Sequence, residues 1–238
     1  MGRLDVVGFD GDDTLWHNER IFAEAQAEFR TLLAAFHPPE WIDARLADAE
    51  KRNLPHFGYG VKGFALSMIE TAIELTEGRI HSREILHILD MTRRMLSAEV
   101  ELLEHVAETV AAVAGTHRLL LITKGDLHDQ ERKVERSGLA DRFAAVEIVS
   151  EKDAGTYAAL LGRHGVPADR FVMVGNSLRS DILPVLEVGG NAVHIPYELT
   201  WSHEAADPPP RDHPRFHSLS HIGQLPELLH RIEDVPGA

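Results

Sequence analysis

The first apolar run, Leu4-Asp5-Val6-Val7-Gly8-Phe9, is broken only by Asp5 and Gly8, the texture of a strand buried on both faces, and it stops on a cluster of acids. The next apolar positions, Phe22, Ala25, Phe29, Leu32 and Phe36, recur three and four apart and predict one face of a helix that Asn18 caps and Pro38-Pro39 ends. A second helix is expected from Pro39 to about Asn53, with Ile42, Leu46 and Ala49 inward. Pro55 and the glycines of His56-Phe57-Gly58-Tyr59-Gly60 predict a loop. Two more helical patterns span 61–76 and 82–96, with Gly78 marking their junction, so the stretch 17–96 reads as all-helical.

From Val100 the period changes. A helix to about Ala114 is followed by strands at 118–122, 146–149, 171–174 and 191–195, with helices between them ending near Ser137, over 154–164 and over 180–188. That alternation predicts an α/β unit with a parallel sheet and crossover helices. The opening strand needs this sheet to bury its two faces. The expected organisation is therefore one core made of 1–16 and 97–238, with a helical cap, 17–96, inserted after the first strand. The segment 201–214, rich in Pro, Asp and His, reads as a surface loop, followed by a short strand near Phe216 and a helix over 222–232. No internal repeat is visible.

Composition narrows the possible roles. The chain has 238 residues, 44% of them hydrophobic, enough for a sizeable core. Its formal net charge of −14 argues against nucleic acid as a partner, while local cations can still reverse the potential inside one cleft. The absence of cysteine excludes disulfides, thiolate metal sites and a cysteine nucleophile, and suits a reducing cytoplasm. Met1-Gly2-Arg3-Leu4-Asp5 lacks the features of a secretory signal, and no apolar run reaches the roughly 18 residues of a membrane span, so no membrane is expected as a partner.

Ligands of an open parallel sheet bind beyond the carboxyl ends of its strands. Those positions here hold Asp10, Asp12 and Thr14 after the first strand, Thr123, Lys124 and Gly125 after the second, Ser150 and Lys152 after the third, and Gly175, Asn176, Ser177 and Asp181 after the fourth. Asp10 and Asp181 offer hard oxygen ligands suited to Mg²⁺, and Lys152 with a hydroxyl forms a phosphate clamp. Phosphoryl transfer requires an aligned nucleophile and neutralised phosphoryl oxygens, both of which this set can supply.

With these four motifs in order, each behind a predicted strand, the chain resembles the haloacid dehalogenase superfamily of hydrolases from Leu4 to about Pro196. The resemblance implies a Rossmann-like three-layer core with an all-helical cap. It also implies a Mg²⁺-dependent phosphatase acting on a small phosphorylated metabolite through an aspartyl-phosphate. Residue by residue, it makes Asp10 the nucleophile and a metal ligand, and Asp12 the acid/base with its backbone carbonyl on the metal. Thr14 orients Asp12, while Thr123 and the backbone around Lys124 and Gly125 hold phosphate. Lys152 is the counter-charge, and Asp181 and Asn176 belong to the metal site. Three positions depart from the family pattern: Asp13 stands where Gly is frequent, Lys124 where Asn is, and Asn176 where an acid is. Asn176 removes one negative charge from the metal side. Lys124 can add charge at the cleft mouth or point to solvent.

Other readings of the same residues remain beside this one. An EF-hand fails on spacing, because its sixth position is Leu15 and its twelfth Ile21. A receiver domain needs no long helical insertion after its first strand. A 2-haloacid dehalogenase is the enzyme alternative, though it has no use for Asp12, and Asn176 keeps a silent phosphate-binding member in view. His203, His213, His217 and His221 form no recognisable ligand frame and read as loop and surface residues. In the cap, Phe57, Tyr59 and Lys62 can either contact substrate or pack between helices. Apolar cap faces can be buried within the cap or against a second copy, so both monomer and homodimer are expected states.

Overall fold

The computed structural model describes residues 4–199, 201, 204 and 206–234. It contains a sheet of six parallel strands: β1 (Val6–Phe9), β2 (Arg118–Lys124), β3 (Ala145–Val149), β4 (Phe171–Gly175), β5 (Asn191–His194) and β6 (Phe216–Ser218), in the spatial order β3-β2-β1-β4-β5-β6. The helices are α1 (Glu19–Leu33), α2 (Pro39–Phe57), α3 (Val61–Leu75), α4 (Ser82–Ser97), α5 (Val106–Ala114), α6 (Leu127–Arg136), α7 (Ala154–His164), α8 (Leu183–Glu187) and α9 (Leu225–Asp234). This is a Rossmann-like α/β fold.

Successive side chains of a strand point to opposite faces, and the strands here sort into two cores accordingly. Val7, Phe9, Leu119, Leu121, Val172, Val174 and Val193 pack with residues of α5 and α9. Val6, Leu120, Ile122, Phe171, Met173 and Ala192 pack with Tyr157, Leu160 and Leu161 of α7 and with Val185 of α8. Two buried faces explain why β1 and β4 carry no polar side chain and read as apolar runs. The chain steps outward from β1 to β2 and β3, then returns to place β4 on the other side of β1. The carboxyl end of β1 is thus the switch point where such sheets bind ligands.

Two compact units are present: Met1–Glu19 with Val100–Lys124 and Arg132–Ala238, and Arg20–Glu99 with Gly125–Glu131. The second has its own core, built from Ala25, Phe29 and Leu33 of α1, Ile42 and Leu46 of α2, Phe64, Met68 and Ala72 of α3, and Ile88, Met91 and Met95 of α4. The Phe22 and Phe64 rings meet edge to face there, 5.2 Å between centroids. Among the described residues no helix is long and apolar enough to cross a membrane.

Several boundaries differ from the sequence reading for local reasons. Helix α2 runs through Pro55 to Phe57 rather than stopping near Asn53. Its end is set by Gly58, at φ 71°, whose N–H closes onto the Leu54 carbonyl. Helix α5 starts at Val106, not Val100, because the stretch before it docks on the loop after β1: His17 N–H donates to Glu101 O at 3.0 Å and Leu103 N–H to Leu15 O at 3.0 Å. The expected helix over 180–188 begins as a wide turn, Leu178–Ile182, and only Leu183–Glu187 is α-helical. His217 lies in β6 and is half-buried, with Nε2 unpartnered, so it is not a surface loop residue. The segment 201–214 likewise is not wholly a surface loop, since Glu204 turns inward (below). His203 lies outside the described residues.

Candidate active site

The carboxyl ends of β1, β3 and β4 bring Asp10, Lys152 and Asp181 together. Lys152 Nζ donates to Asp10 Oδ1 at 2.5 Å and to Asp181 Oδ1 at 2.7 Å, and all three side chains are buried. Burial alone would discharge Lys152, but the Asp10 and Asp181 carboxylates outweigh it and hold its ammonium well above the ordinary lysine range. Asp10 is pushed up to about 7, first by burial and then by Asp181, with Lys152 opposing. Two carboxylates share one cation, so the triad carries an excess negative charge. Asp181 is fixed further by Ser177 N–H, which donates to its Oδ2 at 3.0 Å. Gly175 makes that approach possible: a Cβ there would lie 2.2 Å from Asp181 Oδ2.

The Thr14 hydroxyl lies 3.2 Å from Asp10 Oδ2 and 3.3 Å from Asn176 Oδ1, and accepts from Asn176 N–H at 3.0 Å. One hydroxyl thus contacts both an Asp10 oxygen and an Asn176 oxygen. In the sequence reading Thr14 oriented Asp12; its contacts here are with Asp10 and Asn176. Asp13, where the family often has Gly, adopts a left-handed φ of 60°. Its carboxylate accepts from Asn18 N–H at 2.9 Å and Glu19 N–H at 3.1 Å, satisfying donors at the start of α1.

Asp12 engages different donors from those of the triad. Trp16 Nε1 donates to Asp12 Oδ1 at 2.7 Å, and Lys133 Nζ reaches Asp12 Oδ1 and Oδ2 at 3.0 and 3.1 Å. Sequence reasoning missed Lys133. Its signal was the period of α6, where Gln130, Lys133 and Val134 share the inward face while Glu131 and Glu135 are exposed.

Thr123, next to last in β2, is buried and paired in register with Ile148. Lys124 points neither to solvent nor to Asp10. Its Nζ donates to Ser180 Oγ at 2.9 Å and to Glu204 Oε1 at 2.5 Å, while Glu204 Oε2 accepts from the Ser177 and Ser180 hydroxyls. Burial would raise the Glu204 carboxyl, but Lys124 and these donors hold it below the usual range. Gly125 has φ 134°, a conformation side chains rarely adopt, and a Cβ would press on Gln130 Nε2 at 3.1 Å. In the helical unit Lys62 Nζ is paired with Asp126 Oδ1 at 2.9 Å, and Tyr59 is half-buried. Among the described residues no three His, Asp or Glu side chains cluster as a ready metal site.

Residues 4–189 match the family model of the haloacid dehalogenase-like hydrolases. An N-acylneuraminate-9-phosphatase of Rattus norvegicus is 28% identical over 98% of this chain and 96% of its own length. Among solved structures, a haloacid dehalogenase-like family hydrolase from Xanthomonas campestris superposes with a TM-score of 0.87 at 45% identity, covering 97% of this chain and 92% of that one. A 2-haloacid dehalogenase from Pseudomonas syringae pv. tomato superposes at 0.65 with 25% identity, covering 96% and 99%.

Proposed function

Because the chain belongs to the haloacid dehalogenase-like hydrolase family, we propose that it is a Mg²⁺-dependent phosphatase of small phosphomonoesters with Asp10 as nucleophile. The observation that carries this reading is the buried Asp10–Lys152–Asp181 triad at the switch point of the sheet.

The donor set fits the cation. Asp10, Asp181, the amide oxygen of Asn176 and the backbone carbonyl of Asp12 are hard oxygen donors, and few side-chain ligands suit an ion that keeps several waters. Burial first, and the Asp181 carboxylate after it, drive Asp10 up to about 7, and such an ion would offset both by favouring the charged form, returning the carboxylate to its nucleophilic state at neutral pH. Bound there, Mg²⁺ would neutralise phosphoryl oxygens and align them with Asp10.

The chain's own residues then divide the work. Asp10 attacks phosphorus, and the phosphoryl group passes to its carboxylate as the ester oxygen leaves. Asp12 gives that oxygen a proton, then takes one from the water that hydrolyses the acyl phosphate. Lys152 balances charge on Asp10 and on the transferring group, and Thr123 with the backbone of Lys124 and Gly125 holds phosphoryl oxygens. In this reading the helical segment is the cap that selects substrate.

The test is hydrolysis of p-nitrophenyl phosphate and a panel of phosphorylated metabolites with Mg²⁺ and with chelator. The panel includes an N-acylneuraminate 9-phosphate, after the name of the rat relative, and 2-chloropropionate for the haloacid reading that the Pseudomonas structure favours. Turnover of a phosphate ester that chelator abolishes is expected. Chelator-insensitive release of chloride with no release of phosphate would select the dehalogenase instead.

A further inference from the structure

Asp12 is the one proposed catalytic carboxylate that Lys152 does not touch, and the chain supplies it with a lysine of its own. Lys133, on α6, places Nζ at 3.0 and 3.1 Å from the two Asp12 oxygens and at 2.8 Å from Asn18 Oδ1. Only 16% of its side chain is exposed, against 23% for Asp12, so this pair is not a solvated surface bridge. A further donor to Asp12 is the Trp16 indole, which is 1% exposed and is backed by Gly11, where a Cβ would lie 2.7 Å from the ring. Asp13 N–H donates to Trp16 O at 2.7 Å, which closes the loop that carries both Asp12 and the indole. One side of the Asp12 carboxylate is thereby fixed by a rigid ring, and the other by a flexible side chain reaching in from a helix that starts just after the phosphate-binding loop.

We propose that Lys133 is the positioning residue of the acid/base, holding Asp12 where it meets the leaving oxygen; this rests on the phosphatase reading. A bond whose fracture must be assisted by a proton is sensitive to misplacement of the acid, since a positioned acid contributes about 10²–10⁴-fold. A bond to a good leaving group is not. Lys133→Met therefore affects esters unequally, whereas a purely structural role for Lys133 would affect them alike.

The experiment compares kcat/KM, which reports steps up to the first irreversible one, for p-nitrophenyl phosphate and for an alkyl phosphate from the panel. Lys133→Met is expected to lower the alkyl value about 10–100-fold, part of the general-acid contribution, and the aryl value by no more than about 3-fold. Lys133→Arg, which keeps a cationic donor, is expected to retain most of the alkyl activity. Lys133→Gln, closer in polarity, carries the same comparison if the Met variant does not fold. An equal loss on both esters, or no loss on either, overturns the role of Lys133 while wild-type turnover keeps the phosphatase reading. Absence of wild-type turnover removes that reading and this proposal together.

Discussion

Asp10→Asn is expected to abolish turnover and, in the absence of divalent cation, to raise thermal stability at pH 8. Loss of a nucleophile that acts as part of a unit typically costs about 10⁴–10⁶-fold in kcat. The stability gain follows from the position of Asp10 in the folded chain, where burial moves its carboxyl from 3.8 to about 7. A carboxyl raised on folding binds more protons in the native than in the unfolded state between those two values, so its ionisation removes stability as pH rises from about 4 to 7. The neutral amide escapes that loss, and its oxygen can still accept from Lys152. Its advantage is full above pH 7, absent below about pH 4, and bounded at about 4 kcal/mol by the size of the shift. Melting curves of both proteins at pH 8 and pH 4 check this. A mutant less stable than wild type at pH 8 would contradict the charge balance assigned to the triad.

Lys152→Met acts in the opposite direction. It removes the cation between Asp10 and Asp181 and leaves two buried carboxylates facing each other. Breaking a buried pair in this way costs about 3–5 kcal/mol, a large part of the roughly 5–15 kcal/mol that holds a typical domain together. The loss is expected to be largest at pH 8, above the value of about 7 to which burial raises the Asp10 carboxyl, and to shrink towards pH 5 as Asp10 takes up a proton. Turnover is expected to be lost at either pH, because the counter-charge proposed for Asp10 and the phosphoryl group is gone. Urea titrations at pH 8 and pH 5 read the stability, and equal midpoints at the two pH values would show that Lys152 is not the triad's cation.

Asp10, Lys152 and Asp181 were legible because each follows an apolar run closely enough that knowing the strand locates the residue. The central strands were legible for the same reason: burial on both faces leaves no polar position to confuse the pattern. Lys133 and Glu204 were missed, since neither follows a strand end: Lys133 lies within α6, where only the helical period marks it, and Glu204 lies in an irregular segment. Lys133 meets Asp12, 121 positions away, and Glu204 meets Lys124, 80 positions away, from a segment with no period at all. The start of α5 was misplaced because local helical pattern over 100–105 lost to backbone pairing with Leu15 and His17, a tertiary contact that no propensity encodes. Pro55 misled in the other direction, as a proline in the last turn of α2 leaves the helix standing until Gly58 ends it.

Asp13, read as a departure from the family's frequent Gly, has a physical account. It takes the left-handed backbone that Gly would take without strain, and in exchange its carboxylate ties down the first N–H groups of α1. Asn176 has a parallel effect: an amide there keeps an oxygen on the Thr14 hydroxyl that also contacts Asp10, without adding a third negative charge to the triad. Both changes conserve the arrangement of donors while altering its charge.

Asp10 is the proposed acceptor of the phosphoryl group, and Asp12→Asn offers the means to see it. Without the base that activates water, the acyl phosphate formed from an aryl phosphate should persist long enough to be quenched in acid and mapped by peptide mass spectrometry. One phosphoryl group on the peptide containing Asp10, lost on treatment with hydroxylamine and missing from an Asp10→Asn/Asp12→Asn double variant, is the predicted result. A phosphoryl group on any other residue, or turnover that proceeds in the double variant, would contradict it.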